Sequence, residues 1–111
     1  MTHATWTKIE EIGSKTLETF GGRGADEICT GECAVFAKRM AAALNEAGID
    51  FEIKVTPNFQ LMDELKGYDV SESDFSDNQI SHCYIVIDGI GFDAYDPKGI
   101  EEREMTFLSI L

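Results

Sequence analysis

The dipeptide Asp88-Gly89 constrains this chain more than any other feature. It lies between the strand-forming run Ser81 to Asp88 and a second run from Gly91 to Tyr95. An Asp-Gly pair between such runs predicts a two-residue β-hairpin turn, whose backbone twist matches that of the paired strands. The turn fixes the register. Ile87 pairs with Ile90, His82 falls opposite Tyr95, and His82, Tyr84 and Val86 share one face with Tyr95, Asp93 and Gly91. Asp93 then lies diagonal to His82 on the same face, while Asp96 points away. A three-residue turn would shift the pairing by one and favour Asp96 instead.

The rest of the pattern supplies helices and one more strand. Trp6, Ile9, Ile12, Leu17 and Phe20 recur at three- to five-residue intervals and predict an amphipathic first helix. Gly21-Gly22-Arg23-Gly24 ends it and opens a loop; with no Lys-Ser or Lys-Thr pair after it and no strand before it, this is not a phosphate cradle. Thr30 is placed to cap a second helix running through Ala34 to Ala47, with Gly48 as its stop and Phe36, Met40, Leu44 and Ala47 as the buried stripe. Cys29 falls in the loop before that helix. Ile49, Phe51, Ile53 and Val55 alternate with polar residues and predict a half-buried strand ending at Pro57-Asn58. A short helical turn is expected from Phe59 to Leu65. The acidic, serine-rich stretch from Asp69 to Asn78 is expected to be an exposed loop; its acidic run from Glu72 to Asp77 is most simply solvated and alternatively gates the cleft or selects basic substrates, and Met105, Leu108 and Leu111 suggest a short closing helix.

At 111 residues, 43% of them hydrophobic, the chain suits one domain with one modest core. No apolar run approaches the roughly 20 residues that span a bilayer, and the N-terminus lacks a secretory pattern, so a cytoplasmic setting is expected. The net charge of −12, from 21 acidic against 9 basic residues, disfavours nucleic acid and anionic membranes as partners. It favours basic proteins or simple solubility. The three cysteines, Cys29, Cys33 and Cys83, are an odd number, which argues against a disulfide framework and leaves at least one thiol for chemistry.

Cys33 is the best placed of them. A cysteine attacks as its thiolate, and the unpaired amides in the first turn of a helix stabilise an anion there. It needs an imidazole beside it, and of the two histidines His3 lies near the chain start whereas His82 lies on a strand. Asp93 is then the group positioned to hold the other ring nitrogen. Cys83 alternates to the opposite strand face and is expected to pack in the core. A zinc site from Cys29, Cys33, His82 and Cys83 is disfavoured, because His82 and Cys83 are adjacent on a strand and Cys-x3-Cys is not a common zinc spacing. No metal and no cofactor is expected.

Gly31-Glu32-Cys33-Ala34-Val35-Phe36-Ala37, the helix after it, and Ala47-Gly48-Ile49-Asp50 with its strand resemble the nucleophile helix and following strand of transglutaminase-like proteins, within the wider papain-like cysteine-protease superfamily. Ser81 to Asp93 resembles their histidine strand, hairpin and aspartate strand. The resemblance covers residues 30–56 and 81–97. It implies an α+β fold in which a nucleophile helix packs on a small antiparallel sheet. It also implies amide hydrolysis or acyl transfer on a peptide or protein, with Cys33 as nucleophile, His82 as base and Asp93 as orienter. The Gln or Trp that such enzymes place shortly before the nucleophile is absent here; the nearest upstream Trp is Trp6, which leaves the oxyanion to backbone amides. The competing expectation is a catalytically idle member of the same fold: a small acidic inhibitor or adaptor, of the kind phages encode against their hosts, binding a basic protein.

Overall fold

A computed structural model describes residues 2–57, 59, 65–75 and 81–109, apart from the side chain of Thr30. Three helices, α1 (His3–Glu18), α2 (Ala25–Gly31) and α3 (Cys33–Glu46), precede the sheet strands β1 (Glu52–Val55), β2 (Val70–Glu72), β3 (Cys83–Ile87), β4 (Ile90–Phe92) and β5 (Ile100–Glu101). The class is α+β, with strand order β2-β1-β3-β4-β5.

The hairpin forms in the register that its turn dictates. Ile87 pairs with Ile90, Val86 with Gly91 and Ile85 with Phe92. Asp88 at φ 49° and Gly89 at φ 78° give the two successive left-handed residues that such a turn requires. The β4 strand stops at Phe92, short of the expected Tyr95, and the chain bends through Asp93 to Asp96.

All five residues of β3 are buried, because each face of the sheet is covered. Cys83, Ile85 and Ile87 join the main core with Ile9, Ile12, Phe36, Met40 and Leu44 from the helices. Tyr84 and Val86 face the other way, against Met105 and Phe107 of the C-terminal segment. That segment forms two short 3₁₀ turns, Glu102–Glu104 and Thr106–Ser109, in place of the expected helix.

Several expectations are corrected. The sheet is mixed rather than antiparallel, since β2 pairs with β1 in parallel, Ile53 opposite Val70. Part of the expected exposed loop from Asp69 to Asn78 is therefore an edge strand. Two of its three side chains, Ser71 and Glu72, remain exposed, so its composition resembles that of a loop. Cys29 lies in α2 rather than in a loop, and Thr30 also belongs to α2, so that Glu32 takes the N-cap position of α3, where its side chain accepts no capping hydrogen bond. Strand β1 begins at Glu52, later than expected, because Gly48 and Ile49 are used to end α3: their amides donate to Asn45 and Leu44 carbonyls at 3.1 and 3.0 Å. Ala47, expected in the buried stripe of α3, is exposed at that terminus. Phe20 lies beyond α1 yet is buried, its ring 6.0 Å from that of Phe36 and capped by the Arg39 guanidinium at 4.5 Å. The turn expected from Phe59 to Leu65, Asp77 and Asn78 of the acidic stretch, and Leu111 lie largely or wholly outside the described residues.

Gly13 sets how closely α1 can approach the loop after Asp93. A Cβ at this position would meet the Pro97 carbonyl oxygen at 1.7 Å. Alanine would gain about 1 kcal/mol of helix propensity, but a clash with backbone is worse than that. Gly13→Ala is expected to destabilise the protein by about 2 kcal/mol in urea unfolding. Gly24→Ala, where a Cβ meets nothing within 4 Å, should stay close to the parent protein; equal midpoints for the two variants would contradict this packing.

Candidate functional site

The ends of β3 and β4 and the corner between α2 and α3 meet at one polar cluster. His82 is fixed first through its backbone. Thr56, the residue after β1, continues that strand's pairing: its amide donates to the His82 carbonyl at 3.0 Å, and its hydroxyl accepts from the His82 amide at 2.9 Å. Both residues are almost fully buried.

The His82 ring follows. Its Nε2 is 2.7 Å from Asp93 Oδ2, and both side chains are 2% exposed. The other carboxylate oxygen, Asp93 Oδ1, accepts from the Asp96 amide at 2.8 Å, which fixes the carboxylate plane. Phe107 lies over the imidazole, ring centroids 4.3 Å apart, with Tyr84 at 6.1 Å beyond. These aromatic rings keep water from the His82–Asp93 bond, so the bond acts at low local dielectric.

Asp96 has a different task. Its carboxylate accepts from the Thr106 amide at 2.9 Å and from the Thr106 hydroxyl at 3.1 Å. It thereby caps the turn that carries Phe107. The two-residue hairpin directs Asp93 to the ring and sends Asp96 to the C-terminal segment.

Cys33, the first residue of α3, lies on this cluster but is buried, with 7% of its surface exposed. It is near enough to the His82 ring to help hold the ring's proton. Burial, the largest influence on His82, disfavours its charged form; the hydrogen bond and charge of Asp93, with the influence of nearby Cys33, outweigh it and raise the pKa to about 9. A nucleophile at a helix terminus is ordinarily open to its substrate. Instead, Cys33, His82 and Asp93 are all buried.

Cys29 enters the cluster unexpectedly. Placed by α2, its sulfur lies with a His82 ring nitrogen and an Asp93 carboxylate oxygen so that all three atoms are within 4.8 Å of one another. Burial, then the charges of Asp93 and Cys33, push its thiol far above the ordinary range, against smaller opposing contributions from the Ala94 and Tyr95 amides. It therefore carries its proton at neutral pH. Tyr95 ties the same helix down, its hydroxyl donating to Asp26 Oδ1 at 2.7 Å. Cys83 is buried in the core on the helix side of the sheet, and burial likewise pushes its thiol up.

Beside the cluster runs a second buried polar group. The Tyr84 hydroxyl is 2.6 Å from Ser73 Oγ and 2.7 Å from Glu102 Oε2, and Lys54 Nζ lies 3.8 Å from that carboxylate. This network fastens the C-terminal segment to the sheet. At the cluster's outer side, one Glu32 oxygen is buried without a well-formed hydrogen bond, and the Arg23 guanidinium is its ionic partner.

Thr56 and Phe107 are the site residues that sequence reasoning missed, while Asp96 and Cys29, both weighed from the sequence, take up other positions than expected. Thr56 closes an alternating run just before Pro57, which is a usable signal; Phe107 and Cys29 reach the site only through tertiary packing.

The His82 proton links this site to stability. The folded protein holds that proton more tightly than an unfolded chain, whose histidine titrates near 6.5. The stabilisation is complete below about pH 6.5 and is lost as pH rises through about 9. Urea midpoints should fall across that window in the parent protein, and the fall should shrink in Asp93→Asn. A slope that is the same in both would contradict the pairing.

No protein-family model, no curated protein and no solved structure matches this chain.

Proposed function

We propose that the protein is a cysteine-dependent hydrolase or acyl transferase acting on an amide bond through Cys33, His82 and Asp93, on a minimal papain-like or transglutaminase-like core. The observation that carries this reading is the His82–Asp93 bond of 2.7 Å, with Cys33 acting on the same imidazole from the start of α3. Asp93 occupies Nε2, which leaves Nδ1 for the thiol. A ring held this way has one orientation and one tautomer to offer.

In this mechanism the Cys33 sulfur attacks the substrate carbonyl carbon as thiolate. The unpaired amides of the first α3 turn, Cys33 N–H among them, receive the developing oxyanion. The His82 imidazolium gives its proton to the departing amine as the C–N bond breaks, leaving a thioester on Cys33. Neutral His82 then takes a proton from water, or from an acceptor amine, as that nucleophile attacks the thioester and Cys33 departs as thiolate. The Asp93 carboxylate supports the imidazolium whenever it forms. Cys29, which holds its own proton, has no part in these steps.

Iodoacetamide near pH 7 is expected to modify Cys33 ahead of Cys29 and Cys83, as read by peptide mass spectrometry. On an activated ester, His82→Ala is expected to lower turnover by about 10²- to 10⁴-fold, the usual worth of a positioned base. No reaction at Cys33, or equal reaction at all three thiols, would contradict the reading.

A second reading is favoured by one observation, the 7% exposure of Cys33. An idle member of the fold would keep its thiol covered and bind a basic protein through the charge of −12. Binding that survives Cys33→Ala and weakens steeply with added salt, together with an unreactive Cys33, is the outcome expected of that adaptor.

A further inference from the structure

The geometry points to a site for a thiophilic divalent cation, of which Zn²⁺ is the type, held by Cys29, His82 and Asp93. These residues supply one sulfur, one imidazole nitrogen and one carboxylate oxygen, all within 4.8 Å of one another. That donor set is the borderline-soft mixture zinc prefers, and three protein ligands leave a fourth position open. A tetrahedral zinc with bonds of about 2.0 to 2.3 Å separates its ligand atoms by between three and four ångströms, so small side-chain adjustments suffice.

Charge favours the cation as much as geometry does. Cys29 and Asp93 as anions, with a dication between them, sum to zero net charge. This is the least costly way to ionise both in a site where His82 and Asp93 are 2% exposed. The Asp93 carboxylate beside the Cys29 sulfur disfavours a second anion on its own but attracts a cation between them. On coordination Cys29 releases its thiol proton to solvent as the metal–sulfur bond forms. His82 releases the proton it shares with Asp93, and both side chains turn their lone pairs to the metal.

The ligands come from different parts of the fold. Cys29 is on α2, His82 stands immediately before β3, and Asp93 immediately follows β4. A bound metal would therefore clamp α2 to the sheet, where at present Tyr95 and Asp26 make the tie. It would also occupy the imidazole on which Cys33 depends. This consequence rests on the proposed catalytic role of His82, whereas the binding itself does not: metal would silence the nucleophile, and chelation would restore it.

The test is titration of the full-length protein with Co²⁺, a spectroscopic substitute for zinc, followed by displacement with Zn²⁺. One equivalent is expected to bind with a sulfur-to-cobalt charge-transfer band and to raise the melting temperature. The band should persist in Cys33→Ala/Cys83→Ala, where Cys29 is the sole thiol. It should vanish in Cys29→Ser and in Asp93→Asn, with circular dichroism confirming that each variant is folded. No band in the parent protein, or a band lost from the double variant, would overturn the site even if Cys29→Ser fails to fold. Because the double variant lacks Cys33, a correct metal site under a mistaken catalytic reading still gives the band. A correct catalytic reading without a metal site gives Cys33 alkylation that Zn²⁺ does not slow.

Discussion

The buried hydrogen bond between His82 and Asp93 is the interaction on which the site depends. Neither group would be stable alone where it sits: a buried carboxylate or imidazolium without a partner costs several kcal/mol. The fold meets that cost by securing both ends. Thr56 fixes the backbone of His82, the Asp96 amide takes the second oxygen of Asp93, and Phe107 closes over the ring. Each support comes from a different stretch of chain, so the pair forms only when β1, the hairpin and the C-terminal segment have all come together.

This arrangement explains why the C-terminal segment is held so firmly for its length. Asp96 caps its second turn, and Glu102 is buried against Tyr84 and Lys54. The hairpin thus supplies two aspartates with separate duties. Asp93 polarises the imidazole, and Asp96 holds the aromatic cover in place over it. On the opposite side, α2 and α3 bring two thiols against the same ring, one at the start of a helix and one held protonated by its surroundings.

Much of the site was legible in the sequence, and for a definite reason. Asp88-Gly89 sets the register, the register sets which side chains share a face, and that is enough to choose Asp93 over Asp96. The stripe Phe36, Met40 and Leu44 in α3 was legible from its four-residue spacing in the same way. Features governed by long-range contact were not. Strand β2 is an edge strand whose outward residues are solvated, so its serines and acids carried the signature of a loop. Helix α2 is short and ends at Gly31, and its backbone overrode the cap expected at Thr30. Phe107 lies 25 residues from His82 in sequence, and nothing local announces their contact. The burial of Cys33 was equally hidden, because exposure is decided by what the other elements place around a helix terminus.

The central claim is that Cys33 and His82 share one electrostatic environment. The most direct measurement is an NMR titration of the His82 imidazole, by its ring ¹⁵N shifts, in the parent protein and in Cys33→Ala. His82 is expected to titrate near the pH of about 9 in the parent and distinctly lower once the sulfur is removed, because Cys33 is one of the groups that raise it. An identical titration in the two proteins would contradict the account and would leave Cys33 as a core residue beside an unrelated histidine.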